Sequence, residues 1–356
     1  HQQQTRDACP FRQQRILQLR YHQEITVSYD GKEITYTAEE VKKQGDKVRI
    51  PDTKRWNQDS VHTKAVRNSG LRRSIEIIPK AEGLIIVNEL FLEKYLTRVV
   101  PSEMPATYEK EALKAQAVCA RTYAWKQIQE QRLHELEADV DDTVNFQVYG
   151  NMEPQKAATE AVRETEGQIL CQDGEAVEAY YFSTSAGVTS TDEIWGSDEA
   201  APYLRSVPCK FDEEEPWSSW IVELPWKMLE DRIREKGKGT VLRSVTVTRR
   251  SESGAATALE AVSDKDSCII ENEYEIRKFL APVNCMITEK DGTETTGGSL
   301  LPSAYFELER TQNGNLQVRG KGYGHGVGMS QTGADKMAEQ GYDYREILDY
   351  FSEILR

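Results

Sequence analysis

The segment 320–331 constrains the fold of this chain more than any other, because five of its residues are glycines at alternate positions. It runs Gly-Lys-Gly-Tyr-Gly-His-Gly-Val-Gly-Met-Ser-Gln. In a β-strand, alternate residues point to the same face, so all five glycines would share one face without side chains. Another backbone or a ligand could then approach that face closely. We therefore predict a strand here, with Lys321 and His325 on the opposite face.

The same segment excludes a dinucleotide site and predicts the start of a helix. The spacing G-x-G-x-x-G is not met, since the sixth residue counted from Gly320 is His325. Ser330 or Thr332 is placed to cap a helix that opens at about Gly333. His325 alone does not make a metal site, although it could donate a hydrogen bond to a sugar hydroxyl. Tight strand packing with no ligand contact is an equal alternative.

A second constrained segment carries a candidate catalytic carboxylate. Pro101 and Pro105 flank Glu103 in the sequence Pro-Ser-Glu-Met-Pro. Proline fixes φ and removes a backbone donor, so this pattern predicts a stiff turn between two helices. A carboxylate held rigidly in a cleft is suited to general acid catalysis. The alternative is an ordinary solvated loop glutamate.

Two cations follow on the next predicted helix. Lys114 and Arg121 are seven residues apart and therefore lie on one helix face, two turns from each other. That face could present them toward the cleft that holds Glu103, where they would hold substrate or shape the loop. The alternative is a surface helix with exchangeable charges, such as a pair between Glu111 and Lys114.

The remaining pattern predicts a mixed α+β fold. Residues 25–37 predict a hairpin, residues 74–88 predict two strands, residues 108–136 a long helix, and residues 11–21 a short helix. We predict four segments: an N-terminal extension over 1–73, a first part of a catalytic core over 74–211, an inserted β-rich lobe over 212–312, and a second part of the core over 313–356.

The composition of the chain excludes some classes of partner and predicts where the chain lies relative to a membrane. The net charge of −14 argues against a nucleic-acid partner, which would need a basic surface. No run of 18 apolar residues is present, so the sequence predicts no membrane span. The start is polar and lacks a signal peptide core, so we expect that an export signal or anchor precedes it. Among the six cysteines, Cys268 and Cys285 are the best candidates for a disulfide.

A hydroxyl-rich loop over 183–191 suggests recognition of a polyhydroxylated ligand. It is followed by Trp195, whose ring could stack on a sugar. The alternative is an ordinary loop, in which serine and threonine runs also occur.

Together these segments resemble the stage II sporulation protein D family, which includes the related amidase-enhancer proteins. The shared motifs run in family order from about residue 74 to the C-terminus, over 88–105, 113–124, 147–150, 182–189, 203–207, 322–334 and 341–348. Their common order makes the resemblance far more specific than any single motif.

The resemblance implies a lytic transglycosylase of peptidoglycan that cleaves denuded glycan strands during engulfment in sporulation. It implies partners in an amidase, an endopeptidase and membrane proteins of the engulfment machinery, and a position outside the cytoplasm. The family's catalytic glutamate falls on Glu103. We expect substrate contacts from a set of polar and aromatic residues in the shared motifs: Lys114, Arg121, Gln147, Tyr149, Ser183, Ser185, Tyr203, His325, Ser330 and Gln331.

Several positions depart from the family. Some relatives carry a zinc site after the long helix, whereas residues 137–160 here contain no cysteine or histidine, and Phe146 cannot ligate a metal. We therefore expect no zinc and no other cofactor. Phe182 and Ala186 replace the usual histidine and glycine. Two alternatives stay open: a non-catalytic wall-binding activator of an amidase, and a zinc-dependent hydrolase.

Overall fold

The computed structural model describes residues 13–29, 32–45, 47–51, 74–143, 146–150 and 153–352. It divides the chain into two compact units, His1–Ala179 and Tyr180–Arg356. The predicted α+β class is confirmed, because both units combine helices with small sheets. The predicted segment boundaries at 73, 211 and 312 stay predictions.

The elements of the first unit begin with short strands and end with a helical layer. They are β1 (Gln13–His22), β2 (Glu24–Tyr29), β3 (Lys32–Thr37), α1 (Ala38–Lys43), β4 (Val48–Pro51), β5 (Ser74–Lys80), β6 (Gly83–Phe91), α2 (Leu92–Glu103), α3 (Lys110–Glu130), β7 (Val140–Asp141), α4 (Lys156–Glu164), β8 (Cys171–Gln172) and β9 (Glu175–Ala176). The predicted hairpin over 25–37 is confirmed by the antiparallel pairing of β2 with β3.

The main sheet of this unit has the order β4-β5-β6-β1-β7, in which only the β1–β7 pair is parallel. Strand β6 is buried on both faces, which explains its continuous apolar run. Leu84 and Ile86 pack with the β2–β3 hairpin and α1 on one face. Ile85 and Val87 pack with Ala138 on the other.

Helices α2, α3 and α4 form the layer that carries the candidate site. A stripe of small residues on α3 is buried, including Ala117, Ala120 and Ala124. Small side chains allow close packing of α3 against α2 and α4. Helix α2 follows β6 directly, so its orientation is tied to the central strand of the sheet.

The second unit contains β10 (Tyr181–Phe182), β11 (Trp220–Leu224), α5 (Trp226–Glu235), β12 (Leu242–Arg250), β13 (Ala256–Ser263), β14 (Ser267–Glu271), α6 (Glu273–Phe279), β15 (Met286–Glu289), β16 (Glu294–Thr296), β17 (Phe306–Arg310), β18 (Leu316–Gly320), β19 (Met329–Ser330), α7 (Gln331–Glu339) and α8 (Tyr344–Phe351). Antiparallel strands form one sheet of order β16-β15-β11-β18-β17 and another of order β12-β13-β14. One hydrophobic cluster, which includes Trp220, Leu259 and Phe279, joins both sheets.

The predicted N-terminal helix and the predicted disulfide are both wrong. The helix predicted within 11–21 is a strand, because β1 pairs with β6 and this tertiary pairing overrides the weak local preference. The predicted disulfide is not formed: Cys268 and Cys285 are free, as are Cys119, Cys171 and Cys209, while Cys9 lies outside the described residues. Within the described ranges, every helix is too short or too polar to cross a membrane.

Candidate active site

Glu103 is the last residue of α2 and lies half-buried at its C-terminal end. Pro101 sits inside the last turn of the helix, so the prediction that Glu103 lies in a turn between two helices is wrong. The helix ends at Glu103 because Met104 precedes Pro105 and adopts an extended conformation. The carboxylate is therefore carried by a helix terminus, a more rigid support than a loop.

The segment 147–150, which we call the clamp segment, packs onto this end of α2. The Val148 N–H donates to Oε1 of Glu103 at 2.5 Å. The Gly150 N–H donates to Oγ of Ser102 at 3.1 Å, and that hydroxyl donates to the Arg98 carbonyl at 2.7 Å. Two adjacent helix side chains thus hold two backbone N–H groups of the clamp segment.

Gln147 and Tyr149 of the clamp segment are buried rather than exposed to a ligand. The Tyr95 hydroxyl donates to Oε1 of Gln147 at 3.2 Å, and Nε2 of Gln147 donates to the Ala120 carbonyl at 3.2 Å. The ring of Tyr149 stacks on Tyr95 with centroids 5.5 Å apart and planes 7° apart. Burial, reinforced by the charge of Glu103, raises the pKa of Tyr95 well above its usual value.

Arg121 is a buried structural cation in this arrangement. Its guanidinium is 1% exposed and binds both carboxylate oxygens of Glu93, at 2.7 and 2.9 Å. Its remaining donors face the carbonyls of Ala117, Val162 and Gln168 and the hydroxyl of Thr165. This geometry favours a structural role over the predicted substrate contact, because the donors already have acceptors inside the fold.

Lys114 lies on the same helix and forms ion pairs with Glu111 at 2.8 Å and with Glu164 at 3.6 Å. The pair with Glu111 is the structural alternative that the sequence left open. Its predicted part in substrate binding stays a prediction.

The glycine segment of the second unit is not one continuous strand, so that prediction is wrong: β18 ends at Gly320, and the chain becomes a strand again at Met329–Ser330 (β19). Gly322, Gly324, Gly326 and Gly328 all have positive φ, between 75° and 113°. A Cβ at Gly328 would lie 2.2 Å from the Tyr180 carbonyl oxygen. The alternating glycines are therefore required by left-handed backbone and close packing, and not by a bare strand face.

His325 lies in this segment against aromatic rings. Its ring centroid is 5.3 Å from that of Trp195 and 5.7 Å from that of Phe182. Its Nδ1 accepts from the Val327 N–H at 3.0 Å. The pKa of the imidazole is lowered to about 3, first by desolvation and then by the charge of Arg277, while a hydrogen bond with the Tyr181 backbone opposes both. A neutral imidazole bonded to the backbone is suited to holding the segment in shape.

A buried carboxylate that the sequence analysis missed organises the hydroxyl-rich loop. Asp212 is 1% exposed and accepts from the N–H and hydroxyl of Ser185 at 2.8 and 2.7 Å. It also accepts from the hydroxyls of Ser330 at 2.7 Å and Thr332 at 3.3 Å. Ser330 caps α7 as predicted, since its hydroxyl accepts from the Gly333 N–H. Asp212 directly precedes a run of three glutamates, and no motif or spacing in the sequence distinguishes it from them.

The other predicted residues of this unit lie beside that network. The Ser183 carbonyl accepts from the N–H and hydroxyl of Thr332, at 3.0 and 3.1 Å. Gln331 is the first residue of α7 and is largely buried. Tyr203 is half-buried and packs against the cluster that contains Ile194 and Leu204.

The predicted site residues thus form separate groups within each unit. Glu103, Gln147 and Tyr149 lie together in the first unit, with Lys114 and Arg121 engaged elsewhere on its helices. Ser183, Ser185 and Ser330 lie together in the second unit around Asp212. Among the residues that the structure describes, no group of three or more His, Cys, Asp and Glu side chains could hold a metal ion.

Comparisons with known proteins match both units. A family described as "Stage II sporulation protein" matches residues 80–171, and a domain of unknown function matches residues 204–328. An uncharacterized protein of Brachyspira hyodysenteriae is 34% identical over 78% of this chain and 69% of its own length. The stage II sporulation protein D of Bacillus subtilis is 32% identical over 74% of each chain. The amidase enhancer of the same organism is 28% identical over 72% of this chain but only 39% of its own length.

Proposed function

Because the chain belongs to the stage II sporulation protein D family, we propose that it is a lytic transglycosylase that cleaves peptidoglycan glycan strands, with Glu103 as acid and base. The scissile bond joins N-acetylmuramic acid to N-acetylglucosamine. We further propose that the protein acts outside the cytoplasm during engulfment, on strands stripped of stem peptides.

The observation that supports this proposal most is the position of Glu103. The carboxylate is half-buried, ends a rigid helix, and accepts a hydrogen bond from the Val148 backbone. General acid–base catalysis needs a carboxyl group held in a fixed place beside the reacting oxygen.

The proposed reaction uses one carboxyl group twice. Protonated Glu103 gives its proton to the glycosidic oxygen as the bond from C1 of the muramic acid breaks. The C6 hydroxyl of the same sugar attacks C1, and the Glu103 carboxylate takes the hydroxyl proton. A 1,6-anhydro end forms and no water is consumed. A hydrolase with two carboxylates would instead place a water or an enzyme nucleophile at C1.

A digest of denuded glycan strands in H₂¹⁸O tests this reaction. We expect 1,6-anhydromuramic ends without ¹⁸O from the wild type, and a rate about 1,000-fold lower from Glu103→Gln, because the acid and base are removed together. Mass spectrometry measures both the ends and the label. Glu82→Gln, at an exposed turn between β5 and β6, is the matched control and should keep the wild-type rate.

We also propose that no metal or other cofactor takes part. The same digest in the presence of a chelator is expected to proceed at the unchanged rate. Products that carry ¹⁸O would indicate a hydrolase, and a rate abolished by the chelator in addition would indicate that this hydrolase depends on zinc.

The second candidate function is a non-catalytic activator of a partner amidase, and the similarity to an amidase enhancer favours it. It predicts that the wild type and Glu103→Gln raise the rate of an added amidase on intact peptidoglycan equally. It also predicts that neither protein forms anhydro ends.

A further inference from the structure

The side-chain amide of Gln147 is locked in one orientation. It is 1% exposed, and its two polar atoms face partners of opposite kind. Only Nε2 can donate to the Ala120 carbonyl, so Oε1 must face Tyr95, and the Tyr95 hydroxyl must be the donor. Tyr95 is fully buried and keeps its proton, because its pKa lies well above the usual value.

The fixed amide of Gln147 holds the neighbouring backbone, which donates a hydrogen bond to Glu103. Val148 directly follows Gln147, and its N–H is the donor to the Glu103 carboxylate. Tyr149, the next residue, stacks on the ring of Tyr95. The N–H of Val148 is therefore held between two anchored residues, and both anchors use Tyr95 of α2, eight residues before Glu103 in the same helix.

Resting on the function proposed above, we propose that Gln147 and Tyr95 are positioning residues, which hold the Val148 N–H against the carboxylate of Glu103 and so fix that carboxylate for proton transfer. Neither residue touches the glycan in this role. The assignment replaces the substrate contact that the sequence predicts for Gln147 with an action through the backbone.

The first test is spectroscopic and does not depend on activity. An amide proton that donates to a carboxylate shifts downfield when the carboxylate ionises, because the hydrogen bond then becomes charge-assisted. In ¹⁵N-labelled wild-type protein, we expect the Val148 amide signal to move with pH. The movement should vanish in Glu103→Gln, which separates Glu103 from Asp141, the other carboxylate whose charge acts on Tyr95.

Gln147→Met keeps the length of the side chain but removes both hydrogen bonds, and Tyr95→Phe removes one hydroxyl. In both variants we expect the pH-dependent shift of the Val148 amide to fall to less than half of its wild-type size. A shift of wild-type size in both variants would overturn the proposal, whether or not the protein cleaves glycan.

The second test separates positioning from binding by kinetics on denuded strands of defined length. We expect kcat to fall about tenfold in Tyr95→Phe and Gln147→Met with KM unchanged, since small misplacements of a catalytic group lower the rate of the chemical step. A rise in KM with kcat unchanged would mean that Gln147 binds substrate. Thr122→Val is the control: Thr122 is fully buried and hydrogen-bonded to Val118 and Leu170, so its loss affects stability alone.

The outcomes also separate this inference from the proposed function. If the wild type forms no anhydro ends, the proposed function fails and the amide titration still decides whether the clamp segment is anchored as described. If the wild type is active and Glu103→Gln is not, wild-type kinetics in both positioning variants would contradict this inference alone.

Discussion

Arg121 and Glu93 join three helices through one ion pair, in which the guanidinium is buried and the carboxylate is partly exposed. Glu93 lies in the first turn of α2, Arg121 in the middle of α3, and the guanidinium also bonds the Val162 carbonyl of α4. Glu93 further accepts from the Gly167 N–H at 3.4 Å. Because α2 ends at Glu103, this pair fixes the helix that carries the catalytic candidate.

Removing one partner of this pair should destabilise the protein strongly. We expect Glu93→Gln to lower the free energy of unfolding by about 3 kcal/mol, because the buried Arg121 guanidinium would lose its counter-charge. Urea denaturation followed by circular dichroism measures the change. Glu160→Gln, which breaks the exposed pair with Lys156 on α4, should cost less than about 0.5 kcal/mol. Equal losses in the two variants would contradict the structural role of Arg121.

The sequence placed Arg121 correctly on a helix face but could not identify what that face contacts. Helical spacing relates Arg121 to Lys114, seven residues away, and both were expected to face Glu103. The true counter-ion is Glu93, 28 residues earlier in the chain. A partner at that distance is set by tertiary packing, which periodicity within one helix does not encode.

The conformation of the glycine segment is determined by backbone hydrogen bonds and close packing, although the segment is largely irregular. Its backbone bonds to surrounding loops, through Tyr323 with Thr184 and Gly326 with Ser190. Strand β19 then pairs in parallel with β10 before α7 begins. The segment therefore holds α7 in place through backbone contacts that leave no room for side chains at the glycines.

Alanine substitutions should separate the cost of close packing at these glycines from the cost of a positive φ. Gly328→Ala adds a methyl group 2.2 Å from the Tyr180 carbonyl oxygen at φ +81°, so we expect a loss of at least about 3 kcal/mol in unfolding free energy. Gly196 has φ +100° but open space around it, so Gly196→Ala should cost only about 1 kcal/mol. Chemical denaturation compares the two, and a similar cost in both would mean that close packing is not what requires Gly328.

The regular elements were predictable where one physical signal governs them. The β2–β3 pair, the buried strand β6 and the long helix α3 follow from alternation, an apolar run and helical spacing. The predictions that were wrong concern segments whose conformation is determined by tertiary contacts. Strand β1 forms because it pairs with β6. The glycine segment takes its conformation because loops from elsewhere in the chain pack closely against it.

Across the molecule, polar networks bring together residues that no local pattern connects. Asp212 joins Ser185 to Ser330, which lies 118 residues after it. The resemblance to a family located these serines without showing that a buried carboxylate holds them. Spacing found the glutamate at the end of α2, but the backbone donor and the Tyr95–Gln147 lock beside it become visible only when the chain is folded.

The stability of the protein should respond to acid in a window set by His325. Its folded-state pKa of about 3 lies below the ordinary 6.5, so between these values the unfolded chain binds a proton that the folded chain does not. Stability is therefore complete above pH 6.5 and falls as the pH falls toward 3. Carboxyl groups titrate near pH 4 when unfolded, so in the interval from about pH 6.5 to 5 the unfolded chain takes up protons mainly on its histidines.

The comparison of wild type with His325→Gln isolates this group from the other histidines. Urea denaturation at pH 7.5, 6.5, 5.8 and 5.0 should show a free energy of unfolding that falls with pH in the wild type, and a shallower fall in the variant. The variant will be less stable at every pH, because the bond from the Val327 N–H and the packing with Trp195 change. The test therefore compares the slopes of unfolding free energy against pH, and not the absolute stabilities. Parallel slopes over this interval would show that His325 takes up its proton in the folded state. The imidazole would then not be the neutral group on which the shape of the glycine segment depends.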